Sequence, residues 1–430
     1  MKNLILTLII TLPLTLWGQG WEYNQGGEFM SRGHHIQQTN DSGYIVTGFS
    51  YEEINGGIIL LKIDQNGDEQ WINYFGNEEE DIGFSVEETN DGGYITTGYT
   101  EVNGIFKMYL FKTDINGVLE WDKIFSNKTE YNHMIGTDLL QTSDNGYVVS
   151  GIMEGGLFIM KTDLNGIEEW MKIYSGDFDN NDYLKQSIDQ TYDNGFFITS
   201  TVESNNGNKQ DIKIIKTDEN GNEQWSQVFG ELGSDYGFSG HQTIDGGFIL
   251  TGSKEPDNNS NLDIWLIKTD ENGILEWDKN YDLSQEDWSY SVNQTSDGGF
   301  IICGFIYNEV NNINEYELYI MKTDEYGDLE WDKIYGGMGY QKGFFIQQTL
   351  DGGYIICGEN ENSISYELYI IKTNQFGNIT STFEIPLPNP NRKIEKTVNL
   401  IGQEVKPQTN TPIIEIFDDG SVEKKLIIEK

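Results

Sequence analysis

The sequence predicts an all-β fold: a seven-bladed β-propeller with four antiparallel strands per blade, followed by a small C-terminal β module. Three observations predict it. One pattern recurs seven times along the 430 residues, at a spacing of about 50, a period typical of propeller blades rather than helical solenoids. Each repeat holds four short runs rich in β-branched and aromatic residues, and no segment inside the array keeps a helical period. Finally, one signature residue is missing from the last repeat and stands instead at the start of the array.

The pattern reads T-x-D-x-G-[YF]-[IVF], then a strand ending K-[TI]-[DN]-x-x-G, then a tryptophan. Its aspartates are Asp41, Asp91, Asp144, Asp193, Asp245, Asp297 and Asp351. Its lysines are Lys62, Lys112, Lys161, Lys216, Lys268, Lys322 and Lys372. Tryptophan follows at Trp71, Trp121, Trp170, Trp225, Trp277 and Trp331, and none follows Lys372. The missing copy is Trp21, because the segment 21–27 aligns with 331–337. An N-terminal strand within 19–27 should therefore complete the last blade. A ring of sheets protects its edges by radial repetition, and a last sheet built from both chain ends locks it.

In the second repeat the four strands fall at 84–89, 94–100, 108–113 and 119–125. Lettered a to d from the axis outward, they alternate in direction. The a–b and c–d links then share one face and the b–c and d–a links the other. The first face is uniform. Its T-x-D-x-G and D-x-N-G links carry Asp at the turn start and Gly where φ must be positive, as tight hairpins demand.

The second face varies from blade to blade. Its b–c loops range from 153–156 to 253–262 and 307–315, and its d–a loops include 77–81, 177–182 and 285–287. Function on a repeat scaffold sits where repeats differ. The start of strand a is the part of this face nearest the axis. The aligned residues there are Ser31, Asp81, Met134, Tyr183, Asp235, Asp287 and Gln341. Asp81, Asp235 and Asp287, with Asp182 and Glu286 beside two of these positions, form a candidate site for a cation such as calcium or for a polar ligand. Tyr183, Tyr236, Trp288 and Tyr340 are candidates for stacking on sugar rings. The competing reading is solvated loop residues and blade-packing aromatics. No other cofactor is expected.

The formal charge of −43 argues against nucleic acid and anionic membranes as partners, since both would repel the chain. Cys303 and Cys357 occupy one repeat position, filled elsewhere by Thr47, Thr97, Ser150, Thr199 and Thr251. A column that accepts Thr, Ser or Cys is a small buried packing site. Residues 1–18 read as a secretion signal: Lys2, a short apolar run over 4–16, and Gly18 before the cut. The run is too short to span a bilayer, so the mature protein should have no membrane span.

Other motifs are weaker. The D-x-N-G-D of 64–68 resembles the start of a calcium loop, but its glycine comes too early for an EF-hand, and it reads as a turn. His34, His35, His133 and His241 are too scattered for a three-histidine metal site. No nucleophile elbow, zinc-protease helix or phosphate loop is present, and in so acidic a chain no carboxylate pair marks glycoside hydrolysis. The T-x-D-x-G hairpin resembles part of the Asp-box of sialidase-type propellers, a structural motif.

The repeats stop after Ile379. Residues 381–392 form a linker with Pro386, Pro388 and Pro390, and 393–430 read as a separate β module with its own hairpin. The P-N-P of 388–390, the N-L-I-G-Q-E-V of 399–405 and the D-D-G-S-V-E-K-K of 418–425 together resemble the type A C-terminal sorting domain of the type IX secretion system. That resemblance implies export across a Gram-negative outer membrane, with the secretion machinery as partner and release or attachment at the cell surface. The propeller at 19–380 is then the passenger. The expectation is a non-enzymatic surface or secreted propeller binding a glycan or protein. The alternatives are a carbohydrate-active hydrolase using acidic residues of the variable face, and a structural surface component.

Overall fold

The computed structural model describes residues 20–26, 30–51, 56–77, 80–126, 133–154, 156–174, 186–203, 209–230, 233–256, 261–310, 313–336, 339–361, 365–379, 393–398, 405–406, 412–417 and 422–426. At 308–310, 313–315, 394, 412–417 and 422–426 only the backbone is described. Residues 1–18, expected to be a secretion signal, and 381–392, expected to be a linker, lie outside these residues, as does all of 399–405 except Val405.

The described residues contain no helix. The array is seven four-stranded antiparallel sheets. Blade 1 shows the plan, with strand a Ser31–Gln38, b Tyr44–Ser50, c Gly57–Ile63 and d Glu69–Phe75. The following blades occupy residues 81–125, 134–174, 187–229, 235–281 and 286–335. Blade 7 takes its inner three strands from 341–373 and its outer strand from Trp21–Gln25, which pairs antiparallel with Tyr366–Thr373. Strand a of each blade contacts strand a of the next, and blade 7 meets blade 1 in the same way, so the ring is closed.

Apolar side chains gather at every blade junction. The cluster between blades 7 and 1, for example, joins Ile36, Val46 and Leu61 to Ile355, Cys357 and Ile370, with Trp21 and Tyr23 packed against it. The Thr/Ser/Cys column is buried in all seven blades, and its two cysteines are unbridged thiols.

Each a–b hairpin is built identically. In blade 1 the Asp41 carboxylate accepts the Thr39 hydroxyl at 2.5 Å and the Gly43 N–H at 2.9 Å, while its second oxygen meets Lys62 Nζ at 3.0 Å. The same ion pair occurs in every blade. Burying a lysine is costly unless it is paired. The lysine column is buried, and the hairpin aspartate supplies the partner.

The blades are also stitched side to side. The side chain of Gln37, Glu87, Asp138 or Asp189 on one strand a accepts a backbone N–H from the next strand a, from Glu88, Gln141, Ile188 and Gln242 respectively. Gln347 of blade 7 accepts Gln38 N–H of blade 1, which carries the stitching across the seam.

Residues 380–430 form a second compact unit. Its described strands, Ile394–Val398, Pro412–Phe417 and Val422–Leu426, make one antiparallel sheet in chain order.

Candidate functional site at the axis

Strand a of blades 1, 2, 3, 5, 6 and 7 skips one residue in its pairing with strand b. The skipped residues are His34, Phe84, Thr137, Phe238, Tyr290 and Phe344. A bulge re-aims the residue it leaves unpaired. Here it lines up a series of rings around the axis. Ring centroids are 5.0 Å apart for Phe238–Tyr290, 5.3 Å for Tyr290–Phe344, 5.9 Å for Phe344–His34 and 5.0 Å for the stacked His34–Phe84 pair. Tyr99 and Phe106 continue the series on blade 2.

A cavity of about 650 Å³ opens where blades 6, 7, 1 and 2 meet. Its apolar lining comes from Phe49, Ile82, Phe84, Tyr99, Phe106 and Phe344, and its polar lining from Arg32, His34, Glu80, Lys342 and Glu359. These residues lie near the start of strand a, near the end of strand b or, for Phe106, at the start of strand c, so the cavity belongs to the variable face and straddles the seam between blades 7 and 1. Its volume suits a drug-sized or sugar-sized ligand.

The charges are arranged across that seam. Arg32 of blade 1 grips Glu359 of blade 7, with Nε and Nη2 each 2.6 Å from Oε2. Its guanidinium also lies over the rings of Phe49 and Phe344, at 5.7 and 5.2 Å. Lys342, opposite Glu359 in the strand pairing, has its ammonium 4.7 Å from the Phe305 ring centre and 4.9 Å from that of Tyr316. Burial lowers the Lys342 pKa; Glu359 pulls it up and Arg32 pushes it further down. His34 Nδ1–H donates to the Gly83 carbonyl at 2.8 Å. The Tyr99 hydroxyl donates to Glu80. Burial raises the Tyr290 phenol pKa.

The residues expected from sequence are placed as follows. Asp81, Asp235 and Asp287 are all buried. Asp81 accepts Asn77 N–H at 2.7 Å, and Asp287 accepts the N–H groups of Leu283 and Ser284 at 2.8 and 3.0 Å. These two carboxylates therefore fasten the incoming d–a loop of their blade. Asp287 lies with Asp263 and Asp282, a group whose ligand atoms fall within 4.8 Å of one another and so could hold a cation; Asp81 and Asp235 join no such group among the described residues. Burial raises the pKa of Asp287, and it does the same for Asp263. Tyr236 and Trp288 pack together at 5.3 Å, and Tyr340 stacks on Tyr316 at 4.9 Å. Asp182 and Tyr183 lie outside the described residues. None of the six described residues lines the cavity. Sequence reasoning missed Arg32, Lys342 and Glu359. The signal was present in the column one residue past the aspartates, which reads Arg32, Ile82, Ile135, Leu184, Tyr236, Trp288 and Lys342 and holds two cations in a chain with few.

Fold and site together define the class: a seven-bladed β-propeller with an aromatic axial cavity. No family model and no curated protein matches the chain. Solved structures do match it. A puromycin hydrolase aligns at 12% identity and a TM-score of 0.50, covering 94% of this chain and 60% of its own. A protein of unknown function from Bacteroides caccae aligns at 12% identity and a TM-score of 0.42, covering 64% of this chain and 90% of its own. The α-L-arabinanase of Penicillium chrysogenum, solved with arabinobiose, aligns at 8% identity and a TM-score of 0.45, covering 68% and 92%. At these identities the likeness concerns the fold alone.

Proposed function

We propose that this chain is an exported, non-enzymatic binding propeller that takes a glycan in its axial cavity. One observation carries the reading: an aromatic-walled cavity of about 650 Å³, with charged groups converging on it, on the face whose loops differ between blades. Aromatic faces stack on the C–H faces of sugar rings, while Arg32 and Lys342 offer hydrogen-bond donors. The signal-like segment 1–18 and the sorting-type pattern of 393–430 support export to the cell surface by a type IX system.

The test is to incubate the full-length protein with a glycan library and record both retention and product release. Retention without cleavage, abolished by Phe84→Ala, is the expected result. Cleavage would move the protein to the hydrolase reading, and no retention would leave the cavity without a glycan role. For export, deletion of 393–430 in a host with the secretion system should trap the propeller in the periplasm. Unchanged surface delivery would remove the sorting role.

A further inference from the structure

Among the described residues, one charged group of the cavity has no hydrogen-bonded partner. Arg32 and Glu359 neutralise each other at 2.6 Å, and the Glu80 carboxylate accepts the Tyr99 hydroxyl. Glu286, which also faces Lys342, accepts Trp288 Nε1–H at 2.8 Å. Lys342 differs. Its ammonium rests on two aromatic rings, and among the described residues it has no hydrogen-bonded acceptor. A half-buried ammonium left in that state carries an unmet desolvation cost. It is poised for an anionic group brought by the ligand, and a charge-assisted hydrogen bond there would be among the strongest contacts available.

We propose that the ligand is an anionic sugar, its acidic group on the Lys342 ammonium and its ring against the aromatic wall of Phe84, Tyr99 and Phe106. The proposal rests on the glycan reading above and specifies the ligand's chemistry. A cationic ligand fits less well. The faces of Phe49 and Phe344 are already covered by Arg32, those of Phe305 and Tyr316 by Lys342, and the Glu359 carboxylate is taken. The overall charge of −43 does not oppose an anion here. At physiological salt the Debye length is about 8 Å, so distant surface carboxylates are largely screened while the contact with Lys342 is not.

The experiment is an array carrying neutral, uronate and sulfated oligosaccharides on matched backbones, probed with the full-length protein. The expected result is selection of anionic over neutral members by about 10- to 100-fold, the range of a charged hydrogen bond. The uronate and sulfate arms report which acid is taken. Lys342→Met should erase the preference without lowering the melting temperature, since no hydrogen bond within the described protein is lost. Lys342→Arg should keep it. Equal binding of neutral and anionic members, or a preference that survives Lys342→Met, overturns this inference and leaves the glycan reading standing. Failure of every member to bind overturns both.

Discussion

Trp21 stands opposite Lys372 in the outer strand pair of blade 7, although the two come from opposite ends of the array. The same pairing, tryptophan of strand d against lysine of strand c, holds in every other blade, from Trp71 and Lys62 to Trp331 and Lys322. Each indole also lies under the c–d turn of the next blade. A Cβ built on Gly67 of blade 1 would come within 2.7 Å of the Trp21 ring, as one on Gly117 would of Trp71. Trp21 Nε1–H donates to the Gln65 carbonyl in that turn at 3.1 Å. One residue thus closes blade 7 and bolts it to blade 1.

Trp21→Ala should consequently destabilise the whole ring. Truncating a tryptophan in a packed site costs about 3–5 kcal/mol. Trp21 is only partly buried, so about 3 kcal/mol is expected, read as a shifted urea midpoint with an unchanged slope. Deleting 380–430, a compact unit separate from the propeller, should leave the propeller's midpoint in place. A midpoint that falls on tail deletion and holds in Trp21→Ala would refute closure by the N-terminal strand.

Closure was legible in the sequence because each blade needs one tryptophan, and a gap at one end matched a surplus at the other. The lysine–aspartate clamp was not. Asp144 and Lys161 lie on different turns and strands, and only the folded a–b–c order brings them to 3.0 Å. The site was half legible. The variable face was identifiable from loop lengths, and the start of strand a from the repeat columns. Successive side chains on a strand leave by opposite faces. The aspartate column therefore turns into the protein, as Asp81 does toward Asn77, while the next column, with Arg32 and Lys342, lines the cavity. Charge points to the acidic column and stacking to Tyr236 and Trp288 of its neighbour; neither criterion picks out Arg32 and Lys342, which the pleat brings to the cavity.

The hairpin clamp predicts an asymmetry between its partners. Asp144→Ala strips Lys161 of a carboxylate and leaves it with Glu169 at 3.2 Å and the Thr162 carbonyl at 2.8 Å. Lys161→Met removes the buried charge itself. The first should cost about 2 kcal/mol and the second less, because a buried charge that loses one of its carboxylate partners is worse than an absent charge. Burial pushes the Asp144 pKa up, but bonds from Thr142, Gly146 and Lys161 and the nearby ammonium outweigh it and hold it at about 2. A depressed carboxylate stabilises above its unfolded value, near 3.9, and that stability is lost as pH falls through about 2. The deficit of Asp144→Ala should therefore be full at pH 6 and fade toward pH 2 in chemical denaturation.

The Arg32–Glu359 pair predicts a different pattern. Glu359 is buried, and Arg32→Met leaves its carboxylate beside Lys342 alone. Breaking one side of a buried pair costs about 3 kcal/mol, whereas replacing both with apolar residues is often neutral. Arg32→Met should lower stability by about that amount, and Arg32→Met with Glu359→Leu should recover most of it. Additive losses in the double mutant would mean that the two side chains act independently.

Glu87 gives the opposite pH response to Asp144. It lies in strand a of blade 2, Asp81–Glu88, and accepts Gln141 N–H from blade 3 at 2.8 Å. Its surface keeps partial solvent contact, yet protein atoms crowd the carboxylate, and that crowding governs because two more carboxylates stand nearby. Burial raises its pKa most. The Gln141 bond lowers it, and Asp138 and Asp189 raise it further, to about 8. A carboxylate raised above its unfolded value, near 4.3, favours the fold fully only below that value. The contribution is then lost as pH climbs through about 8. Stability should thus decline between about pH 4.5 and pH 8 by an amount on the order of a few kcal/mol. Glu87→Gln keeps an acceptor for the Gln141 N–H and cannot ionise, so it should flatten the decline and make the variant more stable than the parent at pH 8. Equal slopes for parent and variant, measured by urea midpoints across that range, would mean that Glu87 is ionised in the folded ring at neutral pH.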